Sequence, residues 1–351
     1  EFILTGVPTL PFPLAPGASE SFDVSYDPSD SGFDVGEITI THTGDNGPTS
    51  TVSLEGEGVS NLPVGFGSSG LSGELSSNPT SLEFGPDDRL YVAQQNGFIY
   101  AYTIQRNSAN NYSVTASEQI DDIRDIQNHN DDGAFNNTIN RQVTGLMTAG
   151  TPTNPILYVT SSDWRIAVDS DSGLDTNSGT LSKLTWNGSS WDHVQLVRGL
   201  PRSEENHSTN GMDLDPATNT LYVMSGGHAN KGAPGSNFSG TPEYALSAAL
   251  LSVDLDTIEA LPTQTATPAG GNGLQQAWKY DLPTLDDPTR TGSPDNNDPH
   301  GGNNGLNQAR WAVGEPVQVY SPGFRNAFDV VFTGSGKLYT SDNGPNGGWG
   351  G

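Results

Sequence analysis

Two short segments near the C-terminal end of the sequence carry residues suited to binding a small molecule and a metal ion. The segment SPGFRN places Arg325 and Asn326 directly before a strand-like run, and the segment KLYTSDNGPN ends in a turn through Gly344 and Pro345. Arginine offers a planar fork of hydrogen-bond donors, and calcium prefers hard oxygen ligands that include backbone carbonyls. The unit can therefore aim a cation, an amide and two backbone carbonyls at one point. A Gly-Pro turn without a ligand is also common, so the turn alone does not establish a metal site.

His207 and Gln142 are candidate polar groups in earlier parts of the chain. His207 lies in the polar segment SEENHST, between a Gly-Leu-Pro turn and a strand. Imidazole titrates near neutral pH, so such a histidine can accept a proton in catalysis, although a histidine in a polar loop is more often simply solvated. Gln142 precedes an apolar strand, where a polar side chain often only caps a turn.

The acidic segment DSDSGLDTN is a second candidate metal site. Asp169, Asp171 and Asp175 place carboxylates at alternate positions around a glycine, as in an abbreviated calcium loop. The segment lacks the distal bidentate glutamate of such loops. A connector rich in Asx turns is therefore the favoured interpretation, with calcium binding as the alternative.

The composition excludes several classes of protein. The 41 acidic and 14 basic residues give a formal net charge of −27, which argues against nucleic acid or anionic membranes as partners. There is no cysteine, so disulfides and thiolate metal sites are excluded. No stretch approaches the roughly 18 apolar residues of a membrane-spanning helix. We expect a secreted or cell-surface protein of bacterial type, with the 43 glycines and 24 prolines serving turns of an all-β fold.

Residues 1–59 predict a small β-sandwich. The segments FDVSY, GEITITH and TVSLE alternate apolar and polar residues as half-buried strands do. LAPGASESFDVSYDPSDSGFDVGEITITH and VSLEGEGV resemble bacterial surface modules related to the ASPM–SPD-2–Hydin group. This resemblance implies a partial immunoglobulin-like sandwich that acts as a spacer, joined to the next domain by a linker at residues 60–65.

Residues 66–351 repeat one signal four times: an apolar pair, a Pro or Gly turn, and a strand that contains Leu-Tyr. The tyrosines of the four copies, spaced by 67, 64 and 117 residues, are Tyr91, Tyr158, Tyr222 and Tyr339. Repeats that each hold a hairpin and further strands are typical of β-propeller blades. The widest interval contains a predicted strand at Ala248–Leu255 and then a polar insertion from Thr263 to Gln308, predicted to be loop.

Four segments carry a resemblance that extends over roughly residues 75 to 350: RQVTGL, GLPRSEENHSTNGMDLDP, YSPGFRNAFDVVF and LYTSDNGPN. Their order resembles that in the soluble sugar (glucose and sorbosone) dehydrogenases that depend on pyrroloquinoline quinone (PQQ). These are six-bladed β-propellers that hold PQQ above a calcium ion. The resemblance implies a propeller of the six-bladed type, C-terminally incomplete, of which about four blades are present.

The same resemblance implies a role for each candidate residue. His207 corresponds to the general base that takes the hydroxyl proton of the substrate. The residues implied to bind the quinone are Gln142, Arg325 and Asn326, and those implied to ligate calcium through their backbone carbonyls are Gly344 and Pro345. In such a site calcium acts as a Lewis acid, and the quinone carries the redox chemistry.

The sequence departs from this family at two points. Relatives place an aspartate that partners the histidine after the following blade strand, and here Gly227 occupies that position in the segment MSGGHA. The loss of this carboxylate predicts that the tautomer and orientation of His207 are unsupported, unless the adjacent His228 compensates. The second departure concerns the lysine and arginine residues that anchor the carboxylates of PQQ: in the family they lie in later blades, which we expect beyond the four blades counted here.

The sequence supports two hypotheses about function, which belong to different classes of protein. The first is an extracellular quinoprotein-like oxidoreductase that oxidises a sugar or polyol by hydride transfer to PQQ over calcium. The alternative is a non-catalytic surface protein, structural, filamentous or adhesive, that reuses the propeller to bind glycans, other surface modules or itself. Because propellers host many functions, the fold alone does not choose between them.

Overall fold

The computed structural model describes residues 2–29, 31–44, 47–58, 67–130, 134–138, 140–166, 173–230, 232–268, 271–285 and 308–346. The chain divides into two compact units, Glu1–Ser68 and Ser69–Gly351. The linker at 60–65 lies outside the described residues, and the domain bounds derived from the sequence stay a prediction.

The described residues are mostly β-structure, with one short α-helix, α1 (Leu255–Ala260), and 3-10 turns at Asp122–Asp125 and Ser236–Phe238. The strands, in chain order, are β1 (Phe2–Thr5), β2 (Asp23–Tyr26), β3 (Gly32–Thr41), β4 (Thr49–Gly58), β5 (Leu71–Ser72), β6 (Pro79–Phe84), β7 (Arg89–Gln94), β8 (Ile99–Ser108), β9 (Asn111–Ile120), β10 (Asn128–His129), β11 (Phe135–Asn136), β12 (Arg141–Thr151), β13 (Asn154–Asp163), β14 (Gly179–Trp186), β15 (Trp191–Leu200), β16 (Thr209–Asp215), β17 (Thr220–Ser225), β18 (Ala249–Asp254), β19 (Gln264–Ala266), β20 (Gln276–Asp281), β21 (Thr284–Leu285), β22 (Gln308–Ala309), β23 (Val317–Pro322), β24 (Val330–Phe332) and β25 (Leu338–Thr340). The all-β prediction is confirmed. No helix among the described residues is long and apolar enough to cross a membrane.

The first unit contains two antiparallel strand pairs, β1–β2 and β3–β4. The rings of Phe2 and Tyr26, 4.9 Å apart, lie over Gly36 and Gly56 of the second pair. A Cβ atom at either glycine would approach the facing ring to within 2.8 Å, so the close packing of the two pairs requires glycine there. The predicted strands are present, and the immunoglobulin-like topology stays a prediction.

Four sheets of the second unit follow one another along the chain, and each contains one copy of the sequence repeat. The short pairs β10–β11 and β21–β22 lie in the same unit. Sheet one has the order β5-β9-β8-β7-β6, sheet two β12-β13-β14-β15-β20-β19, sheet three β16-β17-β18-β23, and sheet four is the pair β24-β25. The four repeat tyrosines lie on the second strands β7, β13, β17 and β25. The first strands are neighbours, since β12 contacts β6 and β16, and β16 contacts β24. Consecutive propeller blades have this arrangement.

The core lies between successive sheets. Strands such as β12 and β13 are covered on both faces, and they therefore bury continuous runs of residues rather than every second one. Three hydrophobic clusters lie between the sheets. Their members without exposed surface include Ile99, Leu157, Leu181, Leu221, Met224 and Ala327. Each leucine, isoleucine or methionine among them contributes roughly 1.5–3 kcal/mol by leaving water.

The polar insertion predicted between Thr263 and Gln308 is only partly loop. β19 and β20 form within it and extend sheet two, with β20 pairing in parallel with β15. The predicted strand at Ala248–Leu255 is β18, followed by α1, whose N-cap Asp254 accepts a hydrogen bond from the backbone of Thr257. The sequence pattern does not predict these short polar strands, because they are stabilised by pairing with sheet two and show no apolar periodicity of their own. The predicted loop at 293–302 lies outside the described residues.

Equivalent acidic residues of the repeat connect neighbouring sheets. Glu83, next to the last residue of β6, accepts a hydrogen bond from the backbone N–H of Thr148 in sheet two at 2.6 Å. Asp213, at the same place in the third repeat, accepts one from the backbone N–H of Phe332 in sheet four at 2.7 Å. Burial raises the pKa of Glu83, and repulsion from Asp213 acts in the same direction.

Substitution of Glu83 tests this connection. We expect Glu83→Ala to lower the free energy of unfolding by about 1–3 kcal/mol, because the Thr148 N–H loses its charged acceptor. Glu83→Gln, the matched control, keeps an acceptor oxygen and removes the repulsion, so its stability should stay near wild type. Urea titration followed by tryptophan fluorescence measures both, since all six tryptophans lie beyond residue 68. Equal losses in the two variants would contradict the proposed role of the hydrogen bond.

Candidate functional site

A polar pocket of about 340 Å³ lies in the second unit. The described residues that line it are Asn206, His207, Arg325, Asn326, Asn343, Gly344 and Asn346. Four residues singled out in the sequence therefore meet at one place, although His207 is more than a hundred positions away from Arg325, Asn326 and Gly344 along the chain. Amides and one guanidinium dominate the lining, which suits a ligand rich in oxygen atoms.

The loop between β15 and β16 holds His207 rigidly. The buried guanidinium of Arg202 donates hydrogen bonds to backbone carbonyls of Ser203 and His207, which ties the loop together from inside. The backbone N–H of Ser203 also donates to the His207 carbonyl at 2.9 Å, and the His207 N–H donates to Ser203 Oγ at 2.9 Å. The imidazole packs against the ring of Phe238. His207 is thus only 2% exposed, contrary to a solvated loop histidine.

The imidazole of His207 has a defined tautomer. Its Nδ1 lies 2.8 Å from the backbone carbonyl oxygen of Gly227. A carbonyl only accepts hydrogen bonds, so Nδ1 carries the proton and Nε2 keeps its lone pair. Burial lowers the pKa of His207 to about 4, with the positive charges of Arg325 and Arg202 adding to the effect and the Gly227 bond opposing it. The ring is therefore neutral near pH 7, in the form that accepts a proton at Nε2.

A carboxylate orients the Arg325–Asn326 turn. Asp342 accepts hydrogen bonds from the backbone N–H groups of Arg325 at 2.7 Å and Asn326 at 2.8 Å. The side chain of Arg325 donates from Nε to Asn230 Oδ1, which also accepts from the backbone of Asn346. The terminal guanidinium nitrogens of Arg325 make no hydrogen bond to a described residue, so they are available to a ligand.

Asn326 is held by a second amide. Asn210 Nδ2 donates to Asn326 Oδ1 at 2.8 Å and to the Ala327 carbonyl at 2.9 Å. The amide oxygen of Asn326 is thereby used within the protein, which leaves its N–H₂ group as the donor for a ligand.

The three supporting residues Asp342, Asn230 and Asn210 were not identified from the sequence. Asp342 and Asn210 lie inside the motifs LYTSDNGPN and STNGMDLDP. A carboxylate or an amide next to a strand end was the signal that could have identified them as site residues. Asn230 has no comparable signal, because its partners are 95 and 116 positions away.

The structure corrects the expectation that His207 lacks support at Gly227. The backbone carbonyl of Gly227 itself takes the hydrogen bond. A Cβ atom at Gly227 would lie 2.9 Å from Glu243 Oε1, 3.1 Å from the Arg325 carbonyl oxygen and 3.2 Å from Ala248 Cβ. An aspartate at this position would therefore collide with a carboxylate that is already there.

His228 does not compensate in the way the sequence suggested. Its imidazole is fully buried against the ring of Tyr244, with ring centres 4.3 Å apart. Neither ring nitrogen forms a hydrogen bond to a described residue. Burial lowers the pKa of His228 to about 3, so this ring is neutral and acts as a packing group against Tyr244.

The other predicted site residues are not among the described residues that line the pocket. Gln142 is buried on β12, and it is not among the described residues of the pocket lining. Pro345 follows the lining residue Gly344, and calcium ligation by this turn stays a prediction. Asp175 is buried, and its Oδ1 accepts from the Asn177 N–H at 2.7 Å, as in an Asx turn. Asp169 and Asp171 lie outside the described residues. Within the described ranges no three acidic or histidine side chains are grouped to hold a metal ion.

Comparison with known proteins gives only distant similarity. No family model matches the chain, and no curated protein matches it. The iodide structure of the Trichoderma reesei carbohydrate-active enzyme of family AA12 is 18% identical over 53% of this chain, with a TM-score of 0.35. The calcium structure from the same family and organism is 16% identical over 80% of this chain, with a TM-score of 0.37. The chain spans 38% and 66% of the lengths of these two structures. Similarity at this level gives no information about the chemistry of the site.

Substitution at Gly227 tests the crowding around it. Gly227→Asp should lower the melting temperature and increase the exposure of His207 to diethyl pyrocarbonate, because the new side chain must displace Glu243 or the Arg325 backbone. Gly70→Asp is the matched control, since a Cβ there meets no atom within 4 Å. A Gly227→Asp protein as stable as wild type would show that the space exists.

Histidines with lowered pKa values predict acid lability. In the fold, burial lowers the pKa values of His129, His193 and His207 to about 4 and that of His228 to about 3, whereas the unperturbed value is 6.5. Their contribution to stability is therefore complete above about pH 6.5 and is lost as the pH falls toward 4, because only the unfolded chain takes up the protons. Raised pKa values of Glu83 and Asp329 oppose this trend in the same range.

We expect the second unit to unfold between about pH 6 and 4 in tryptophan fluorescence. His193→Gln should move the midpoint to lower pH, because a single histidine whose pKa is lowered in the fold contributes on the order of 1–3 kcal/mol to the pH dependence. His42→Gln, in the first unit, should leave the midpoint unchanged. A midpoint that is independent of His193 would contradict the assignment.

Proposed function

We propose that the second unit is an oxidoreductase domain that oxidises a hydroxyl group of a sugar or polyol, with His207 as general base. The observation that carries the proposal is the 2.8 Å hydrogen bond between His207 Nδ1 and the Gly227 carbonyl, in a residue that lines a polar pocket. This bond fixes the tautomer that accepts a proton at Nε2. Oxidation of a carbinol requires removal of its hydroxyl proton, which His207 takes, while the carbinol hydrogen leaves as hydride.

The remaining pocket residues bind and orient the substrate and its electron acceptor. Asn206, Asn343 and Asn346 offer amide donors and acceptors that match sugar hydroxyl groups. Arg325 offers free guanidinium N–H groups, and Asn326 offers a free amide N–H₂ group. A ligand with negatively charged or carbonyl oxygens fits these donors best.

The donor set at Arg325 and Asn326 fits the oxygen-rich edge of a quinone such as PQQ, which supplies a two-electron acceptor for the hydride when it is bound. We infer that this turn holds the quinone, with calcium ligated by the backbone carbonyls of Gly344 and Pro345 and with Gln142 as a further contact. Gly344 lines the pocket beside Arg325, which supports this placement. The net charge of −27 and the absence of cysteine support a secreted or cell-surface location.

A negatively charged ligand also matters for the base. Arg325 contributes to the lowered pKa of His207. An anion bound to Arg325 would offset this charge, raise the pKa of His207 and make Nε2 a better proton acceptor. Binding at the turn would thereby prepare the histidine for proton transfer.

The test uses the full-length protein with added PQQ and calcium. Cofactor binding is followed by absorbance and turnover by aldose-dependent dye reduction. We expect His207→Gln to keep cofactor binding and to lower kcat by about 100-fold or more, and Arg325→Ala to lose cofactor binding. His42→Gln is the control and should match wild type.

Two results would reject the proposal. One is a protein that binds no quinone and oxidises no sugar or polyol. The other is full activity in His207→Gln. Glycan binding that survives His207→Ala, without turnover, would instead support a non-catalytic surface protein.

A further inference from the structure

The segment after β17 is clamped by a carboxylate that the proposed reaction does not use directly. Glu243 accepts hydrogen bonds from the backbone N–H of His228 at Oε2 and of Ala229 at Oε1, both at 2.8 Å. Ser247 Oγ donates to Glu243 Oε2 at 2.7 Å. Three donors therefore fix the carboxylate, and the carboxylate fixes two consecutive peptide groups.

One of these peptide groups also holds His207. The peptide between Gly227 and His228 has its N–H bound to Glu243 and its carbonyl oxygen bound to Nδ1 of His207. A planar trans peptide points these two groups in opposite directions, so the carboxylate and the imidazole lie at its two ends. Negative charge at the N–H end polarises the peptide and makes its carbonyl a stronger acceptor.

The same segment is attached to the Arg325 turn. The backbone N–H of Gly227 donates to the Arg325 carbonyl at 2.8 Å. The absent Cβ of Gly227 leaves the space in which Glu243 Oε1 lies. Glu243 thus reaches the histidine through a peptide from a position that a side chain at residue 227 would block.

We propose that Glu243 is a positioning residue for His207 and acts through the Gly227–His228 peptide group. It holds the Gly227 carbonyl in place and strengthens it as acceptor, which keeps His207 in the tautomer with the proton on Nδ1. This inference rests on the proposed function only for its effect on turnover. The effect on the imidazole is a property of the protein without substrate.

Nitrogen NMR of protein with labelled histidine tests the proposal without any turnover, since the chain contains only six histidines. His207→Gln assigns the signal of His207. In wild type we expect that signal to show protonated Nδ1 and unprotonated Nε2. In Glu243→Gln the side chain turns an N–H₂ group toward a backbone N–H, so one of the two clamp bonds is lost. We expect a mixture of tautomers and exchange of the Nδ1 proton that is about tenfold faster, as for the loss of one hydrogen bond.

The control is Glu259→Gln, which removes a carboxylate that pairs with Lys183 on another part of the second unit. It should leave the His207 signal unchanged. Ser247→Ala removes one donor to Glu243 and keeps both backbone bonds, so it should alter the signal less than Glu243→Gln does. If Glu243→Gln does not fold, Glu243→Asp, which keeps the charge but shortens the side chain, is measured in the same way.

Activity provides the second measurement. Glu243→Gln should lower kcat about tenfold with little change in KM, in the range usual for residues that orient a reactive group. An unchanged His207 tautomer and proton exchange in folded Glu243→Gln would overturn the inference. That result would leave the proposed function standing. If wild type shows no turnover and Glu243→Gln still has an altered His207 tautomer, the positioning role is supported and the proposed function is rejected.

Discussion

The close approach of three backbone segments at Gly226 and Gly227 is the constraint on which the site depends. The Gly226 N–H donates to the Ser208 carbonyl at 2.9 Å, and the Gly227 N–H donates to the Arg325 carbonyl at 2.8 Å. A Cβ atom at Gly226 would lie 2.6 Å from Asn326 Oδ1 and 2.8 Å from His207 Cβ. Only residues without side chains allow the histidine loop and the Arg-Asn turn to meet on either side of this segment. The pocket geometry follows from that contact.

A buried charge orders the loop that carries His207. Arg202 has no exposed surface, and its guanidinium donates to the backbone carbonyls of Asp163, Arg165, Ser203 and His207. Burial lowers the pKa of this arginine to about 10, so it stays charged at neutral pH. The carbonyl hydrogen bonds offset much of the cost of burying the guanidinium. Its charge in turn disfavours protonation of His207. One buried side chain therefore orders the loop and adds to the effect of burial, which is the main cause of the lowered pKa of His207.

The sequence was sufficient to predict the repeated first hairpins, because the apolar pair, the turn and the Leu-Tyr strand are local signals. It also indicated His207, Arg325, Asn326 and Gly344, which meet in the pocket. It was not sufficient for Glu243, whose partners in the segment after β17 lie 14 and 15 positions away across an irregular loop without periodicity. Strands β19 and β20 were missed for a related reason, since β20 pairs with β15, which precedes it by more than seventy residues, and β19 in turn pairs with β20. Contacts between loops depend on the assembled fold rather than on local pattern.

The placement of the carboxylate has a consequence for the base. An aspartate in direct contact with His207 would raise the pKa of the imidazole by opposite charge, whereas a carbonyl raises it less. With burial and two arginines acting in the other direction, the pKa lies at about 4. The imidazole is consequently neutral across the physiological range but a weak base while the pocket contains no anion. Negative charge bound against Arg325 would raise its proton affinity by offsetting one of the causes of the lowered pKa. In the proposed reaction, the strength of the base is therefore coupled to occupation of the Arg325–Asn326 turn.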